Sequence, residues 1–190
     1  MGTAVDAFLS FLRAFGLAIV LFPVGLATHE VMHLAVYSAL GVPAVLLVTH
    51  WHFGVPALSR LTIFGLHAAP TGSAPVPFQI LLANNGLGPL LGALPLLVVW
   101  LTVDRRSRAV RSALLANVAV LLFFFAIELA YPLLEQGGID GDVLLLPELN
   151  YGAALVILAV VAGVAAWRSV TPRLRVMRRS WPPASRLPAP

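Results

Sequence analysis

Four long apolar stretches constrain how this chain can fold. They cover about residues 8–40, 78–103, 110–134 and 149–167. A helix needs about 20 apolar residues to cross the hydrocarbon core of a bilayer, and each stretch is close to that length or longer. Within lipid, only helices and closed barrels can pair all their own backbone groups. The sequence therefore predicts an all-α, polytopic membrane bundle of about four transmembrane helices.

Composition supports a membrane protein and limits its chemistry. The 190 residues are 59% hydrophobic and 11% charged, whereas soluble domains are about 45–50% apolar and about 25% charged. The chain has no cysteine, so it can form neither a disulfide nor a thiolate metal ligand. Any transition metal must be held by histidine, aspartate or glutamate side chains.

Every basic residue is arginine, and most of these arginines fall in residues 105–111 and 168–186. Both clusters adjoin predicted spans, where positive charge marks the cytoplasmic side of a membrane, and we prefer this reading to nucleic-acid binding. Four crossings then put both termini in the cytoplasm and residues 41–77 and 135–148 outside. The arginine-only usage is typical of a GC-rich prokaryotic genome, which predicts a prokaryotic plasma membrane.

Two segments lie outside the predicted spans. Residues 41–77 contain five prolines, too many for a regular span, and predict a re-entrant or hairpin segment covered by protein. Residues 172–190 are rich in arginine and proline and predict a cytoplasmic tail that is disordered or lies on the membrane surface. The predicted transmembrane domain is therefore residues 1–171.

An HExxH motif occupies residues 29–33, inside the first apolar stretch. Helix positions four apart share a face, so His29 and His33 can bind one zinc ion. Glu30 lies beside that face and can act as the general base of a metal-assisted hydrolysis. Ionisable residues within a membrane span are costly and are therefore functional candidates. The motif predicts a Zn²⁺ site.

Tetrahedral zinc in a catalytic site needs a third protein ligand besides water. We favour Asp140, because it follows the third span on the side where His29 and His33 lie, and because a short carboxylate suits zinc. Glu128 is the alternative, since it stands alone in an apolar run and needs a partner. Four further residues could also serve: Asp142, His50, His52 and His67.

Three motifs resemble the site-2 protease family of intramembrane zinc metallopeptidases. The first is His-Glu-Val-Met-His-Leu-Ala at 29–35, followed by Gly41. The second is Gly-Leu-Gly-Pro at 86–89, and the third is Ile-Asp-Gly at 139–141. The resemblance implies that His29, His33 and Asp140 bind the zinc ion and that Glu30 is the base.

Two pairs of polar residues remain open to interpretation. Asn84 and Asn85 could bind a substrate strand or an oxyanion, but we prefer an Asx turn that caps a helix starting near Gly86. His50 and His52 alternate along a possible strand and would face one side of it. A functional role for these two histidines is the less favoured reading.

The sequence thus predicts an intramembrane zinc endopeptidase acting on a membrane-protein or peptide substrate. One alternative is a non-catalytic membrane protein that retains the fold and serves in binding or assembly. The presence of Glu30 favours the enzyme, because a binding protein needs no base there. A metal transporter ranks last, because spans two and four offer few polar residues through the inner leaflet. Substrate identity and oligomeric state are left open by the sequence.

Overall fold

A computed structural model of the chain describes residues 2–52, 62–141, 144 and 147–179. The described residues form four helices, with one hairpin of two strands between the first helix and the second. The elements are α1 (Gly2–Ala39), β1 (Ala44–His52), β2 (Thr62–Pro70), α2 (Phe78–Thr102), α3 (Arg108–Gln136) and α4 (Pro147–Arg179).

All four helices contain a segment long and apolar enough to cross a membrane. These segments are Ala4–Ala39, Phe78–Thr102, Arg108–Gln136 and Leu149–Arg168, and they coincide with the four predicted spans. The prediction of an all-α membrane bundle is confirmed. The hydrophobic length of each stretch was enough to predict it, because no other feature of this chain explains so much apolar surface.

Helix α4 extends into the segment that was predicted to be the tail. Helix α4 continues to Arg179, eight residues into the segment 172–190 that we expected to be disordered or to lie on the membrane surface. Arginine, leucine and methionine are good helix formers, so this stretch can extend a helix already nucleated in the membrane. Residues 180–190 are outside the described part of the chain.

Residues 41–77 contain a hairpin, as one of the two readings of this segment predicted. Strands β1 and β2 pair antiparallel, from Ala44 opposite Pro70 to His52 opposite Thr62. Helix α1 ends just before them at Ala39, and Gly41 in the following turn has a φ of +74°. The amides of Val42 and Gly41 donate to the carbonyls of Tyr37 and Ser38, the pattern of a Schellman motif. The hairpin therefore follows directly on the helix that carries the HExxH motif.

The helices pack through small side chains. Ala18, Ala113 and Ala116 have no exposed surface, whereas Val20 and Trp167 are 70% and 67% exposed. Helix α1 contacts the other three helices and both strands. Small residues at helix interfaces and large apolar residues outside are typical of membrane bundles, in which close backbone approach replaces the hydrophobic effect. The central position of α1 places its polar motif inside the protein rather than in lipid.

Candidate metal centre

The two histidines of the HExxH motif face the interior of the bundle. They lie in the last three turns of α1, and His29 and His33 are only 2% and 4% exposed. Their Nε2 atoms are 2.9 Å apart, as expected for side chains four residues apart on one helical face. The predicted convergence of the two imidazoles is therefore present in the fold.

Helix α3 adds a carboxylate to the pair. Glu128 Oε1 lies 2.9 Å from His29 Nε2, and Glu128 Oε2 lies 2.9 Å from His33 Nε2. Among the described residues, these three side chains form the one group of three or more potential ligands whose donor atoms all lie within 4.8 Å of one another. Glu128 is 24% exposed, so the group is not sealed from its surroundings.

Hydrogen bonds alone cannot satisfy this arrangement. Each Nε2 has one in-plane position, which holds either a proton or a lone pair. Yet each Nε2 lies 2.9 Å from two neighbours, the other nitrogen and a carboxylate oxygen. A cation would use one lone pair from each nitrogen and one from the carboxylate. Two imidazoles and a carboxylate are also a donor set that catalytic zinc sites use, so the residues fit zinc.

Asp140 does not belong to this group. It is exposed and lies beyond α3, in the turn that Gly137 and Gly138 introduce. From Glu128 to the end of α3 at Gln136, the helix rises by about 12 Å. The structure therefore joins the runner-up Glu128, and not the favoured Asp140, to His29 and His33. The local Ile-Asp-Gly sequence could not reveal this, because the helix register decides which carboxylate faces α1.

Neither His50 nor His67 belongs to this group. His50 and His52 lie on β1, and Asp142 falls outside the described residues. His67 lines the cavity next to the site, but its side chain is otherwise exposed. The potential ligands in the described part of the chain are thus the two motif histidines and Glu128.

Two glycines of α2 bring this helix into direct contact with the motif. A Cβ atom on Gly88 would overlap the His33 ring, and one on Gly92 would lie 2.8 Å from the His29 Cα atom. Both contacts are closer than packed atoms tolerate, so only glycine fits at either position. The spacing of four between the glycines matches the spacing of four between the histidines. That match is visible in the sequence alone.

Asn84 contacts the outer nitrogen of His33. Its amide nitrogen lies 2.9 Å from His33 Nδ1, and both side chains are buried. The predicted role in capping a helix near Gly86 is wrong, because α2 begins at Phe78 and encloses both asparagines. Rotating the amide by 180° would place its oxygen, which otherwise has no partner in the described chain, against His33 Nδ1. His33 Nδ1–H would then donate to it and leave Nε2 free to bind a metal.

Glu30 points toward the hairpin. Its Oε2 atom accepts a hydrogen bond of 2.8 Å from the backbone amide of Ala68 on β2. Its Oε1 atom lies 3.7 Å from His29 Nε2. The carboxylate thus adjoins the ligand group without being part of it, which is the relation that a general base requires.

A cavity of about 520 Å³ adjoins the group, within the usual range for a ligand pocket. Its lining includes the apolar side chains of Leu26, Leu81, Phe124 and Ile127. It also includes the site residues, together with Tyr37, Tyr131, Asn150 and Tyr151. The cavity can therefore accept an apolar chain beside polar groups.

Comparisons with protein-family models, with curated proteins and with solved structures found no match to the chain. The likeness to site-2 proteases consequently depends on the three motifs alone. Of these, the HExxH motif contributes two of the three potential ligands, whereas the Ile-Asp-Gly motif contributes none.

Proposed function

We propose that the chain is an intramembrane zinc-dependent endopeptidase that hydrolyses peptide bonds of membrane-spanning substrates. The supporting observation is the cluster of His29, His33 and Glu128 with Glu30 beside it, inside a bundle of four apolar helices. His29, His33 and Glu128 would hold the zinc ion. This assignment keeps two of the ligands implied by the family resemblance and replaces Asp140 with Glu128.

The chemistry divides between the metal and Glu30. When bound, zinc would polarise the scissile carbonyl and lower the pKa of water to about 7. Glu30 takes a proton from the attacking water and delivers it to the nitrogen of the departing amine. The Ala68 amide holds one carboxylate oxygen of Glu30, so the second oxygen, on the side of His29, is the one that accepts the proton.

The surroundings of the site fit a substrate that comes from the membrane. The apolar lining residues of the cavity can accept the side chains of a membrane helix, and the polar lining residues can bind the backbone of the peptide to be cut. Hydrolysis needs an extended peptide, so the substrate helix must unwind next to the hairpin. By the arginine pattern, this end of the bundle faces the outside of the cell.

Metal content and peptide cleavage test the proposal together. The detergent-purified protein is compared with His29→Ala and Glu30→Gln, first for zinc per chain and then for cleavage of a library of single-span peptides in lipid vesicles. We expect about one zinc per chain in the wild type and in Glu30→Gln, and none in His29→Ala. Cleavage should require both the metal and Glu30.

Two outcomes would contradict the enzyme. Wild-type protein that neither contains nor takes up zinc would remove the metal centre. Wild-type protein that binds zinc but cleaves no peptide faster than Glu30→Gln would leave a non-catalytic metal-binding membrane protein, which is the alternative function.

A further inference from the structure

Pro132 interrupts the backbone hydrogen bonds of α3 at one particular residue. Proline has no amide hydrogen, so it cannot donate to the carbonyl four residues earlier. That carbonyl belongs to Glu128, the third residue of the proposed metal centre. Pro132 is buried, and an unpaired carbonyl inside a membrane bundle is costly.

Asn85 on α2 supplies the missing donor. Its amide nitrogen donates a hydrogen bond of 3.0 Å to the Glu128 carbonyl oxygen. Polar residues commonly satisfy carbonyls that a proline exposes in a membrane helix. Here the carbonyl belongs to Glu128, whose side chain contacts both histidines. The bond therefore holds a proposed metal ligand as well as the backbone of α3.

The same helix contacts the other two ligands. Gly92 packs against the His29 backbone, and Gly88 and Asn84 meet the His33 ring. Because Asn85 contacts Glu128, helix α2 touches all three residues of the cluster. A shift of α2 would therefore move the three ligands relative to one another.

We propose that Asn85 is a positioning residue for the metal centre, because it ties the Glu128 backbone of α3 to α2. This inference rests on the proposed function only in requiring that the cluster binds a metal ion. Without this bond, the Glu128 backbone is no longer tied to α2, the helix that also contacts His29 and His33. The Glu128 carboxylate then loses its fixed distance to the two imidazoles, and the metal affinity falls.

A purely structural role would predict something else. If Asn85 only satisfies a buried carbonyl, its loss should lower stability without changing the metal site. Pro132→Ala separates the two roles, because an alanine at this position supplies the backbone amide that can donate to Glu128. In that background, removing Asn85 leaves the carbonyl paired but takes away the bond between α2 and α3.

The experiment measures Co²⁺ binding and thermal unfolding in detergent for five proteins. They are the wild type, Asn85→Ala, Pro132→Ala, the double variant of these two, and Asn117→Ala. The last is the matched control, because buried Asn117 also donates to backbone carbonyls, those of Ala18 and Ala113. Neither acceptor belongs to the metal cluster. Cobalt replaces zinc because its visible absorption spectrum reports ligand geometry.

We expect Asn85→Ala to weaken Co²⁺ affinity by about 10–100-fold, as the loss of a residue that orients metal ligands does, and to change the cobalt spectrum. The double variant should bind Co²⁺ about 10-fold or more weakly than Pro132→Ala, while its metal-free unfolding temperature stays within about 2 °C of that variant. Asn117→Ala should unfold at a lower temperature and keep the wild-type affinity and spectrum.

Three results would overturn the inference. Equal Co²⁺ affinity in Pro132→Ala and the double variant would reduce Asn85 to a structural donor, with the metal centre intact. An effect of Asn117→Ala on Co²⁺ as large as that of Asn85→Ala would mean that general destabilisation is the cause. If the wild type binds neither Co²⁺ nor Zn²⁺, the proposed function fails as well, which distinguishes this case from the first two.

Discussion

Helix α3 and the turn that follows it each carry a carboxylate, and the two have contrasting surroundings. Glu128 lies within the bundle, with one oxygen 2.9 Å from each motif histidine. Asp140 lies about three turns further along the chain, in an exposed turn. Asp140 is flanked by the residues that a known motif would require, whereas Glu128 has only apolar neighbours in sequence. The spatial neighbours, and not the sequence neighbours, decide which carboxylate can bind a metal.

The largest expected effect is on zinc content, when each of the two carboxylates is replaced in turn by its neutral amide. Glu128→Gln should abolish stoichiometric zinc binding, because it removes one of three ligands and leaves two histidines facing an amide. Asp140→Asn should retain about one zinc per chain. Metal analysis of both purified proteins, after dialysis against a weak chelator, makes the comparison.

The reverse result would break the comparison. If Asp140→Asn loses zinc and Glu128→Gln keeps it, the active conformation must bring the turn into the bundle, and the ligand set implied by the family resemblance would be correct. Loss of zinc in both variants would point to a site that both carboxylates share.

A smaller effect should follow from the residue that orients His33. Asn84→Leu keeps a similar volume and removes the polar contact with His33 Nδ1. Zinc affinity should fall by about 10–100-fold, as is typical when the partner of a histidine ligand is lost. Competition with a coloured zinc chelator measures it. An unchanged affinity would mean that the packing of Gly88 alone orients the His33 ring.

Features that depend on residues close together in sequence could be predicted, whereas features that depend on contacts between helices could not. The four helices follow from hydrophobic length, and the histidine pair follows from a spacing within one helix, so both were predicted. Glu128 required knowledge of which face of α3 meets α1, which no local pattern contains. Glu128 ranked below Asp140 because Asp140 follows the third span on the side of the histidines and has the shorter carboxylate, and neither reason specifies which side chain faces α1.

The misassigned start of α2 had a different cause. Gly86, Gly88 and Pro89 resemble residues that begin a helix, yet the helix starts at Phe78. In a membrane, neighbouring helices satisfy the backbone groups that glycine and proline weaken, so such residues are tolerated inside a span. Gly88 and Gly92 are needed there for close packing on the histidines. The capping rule, which derives from soluble helices, therefore assigned Asn84 and Asn85 to a turn before the helix. Their contacts with residues of the metal centre were not predicted for this reason.

Gly88 offers a third test, in which packing rather than coordination is changed. Gly88→Ala should lower the unfolding temperature by several degrees, because its methyl group would overlap the His33 ring and overpacking costs about 1–3 kcal/mol. Gly86→Ala is the matched control on the same helix. Its methyl group would meet Leu129 at an ordinary 3.7 Å, so stability should stay the same or rise slightly. Equal unfolding temperatures would show that α1 and α2 can separate without cost.

The smallest expected effect concerns Glu30. Comparison of Glu30 with Glu128 shows that burial alone does not make a carboxylate a metal ligand. The Glu30 side chain is 13% exposed and that of Glu128 is 24%, yet one oxygen of Glu30 is bound to the Ala68 amide and not to a histidine. Ala68→Pro removes this donor. Because that amide points away from β1, the proline should leave the strand pairing intact.

Ala68→Pro should therefore leave zinc content unchanged and slow peptide cleavage by less than the roughly 100-fold that loss of a general base costs. Ala69→Pro is the control for damage to the hairpin, since the amide of Ala69 faces β1 in the alternation that Thr71 continues by donating to Pro43. It should lower thermal stability more than Ala68→Pro does. A fall in zinc content with Ala68→Pro would place Glu30 among the ligands, whereas an unchanged cleavage rate would mean that the hairpin does not orient the base.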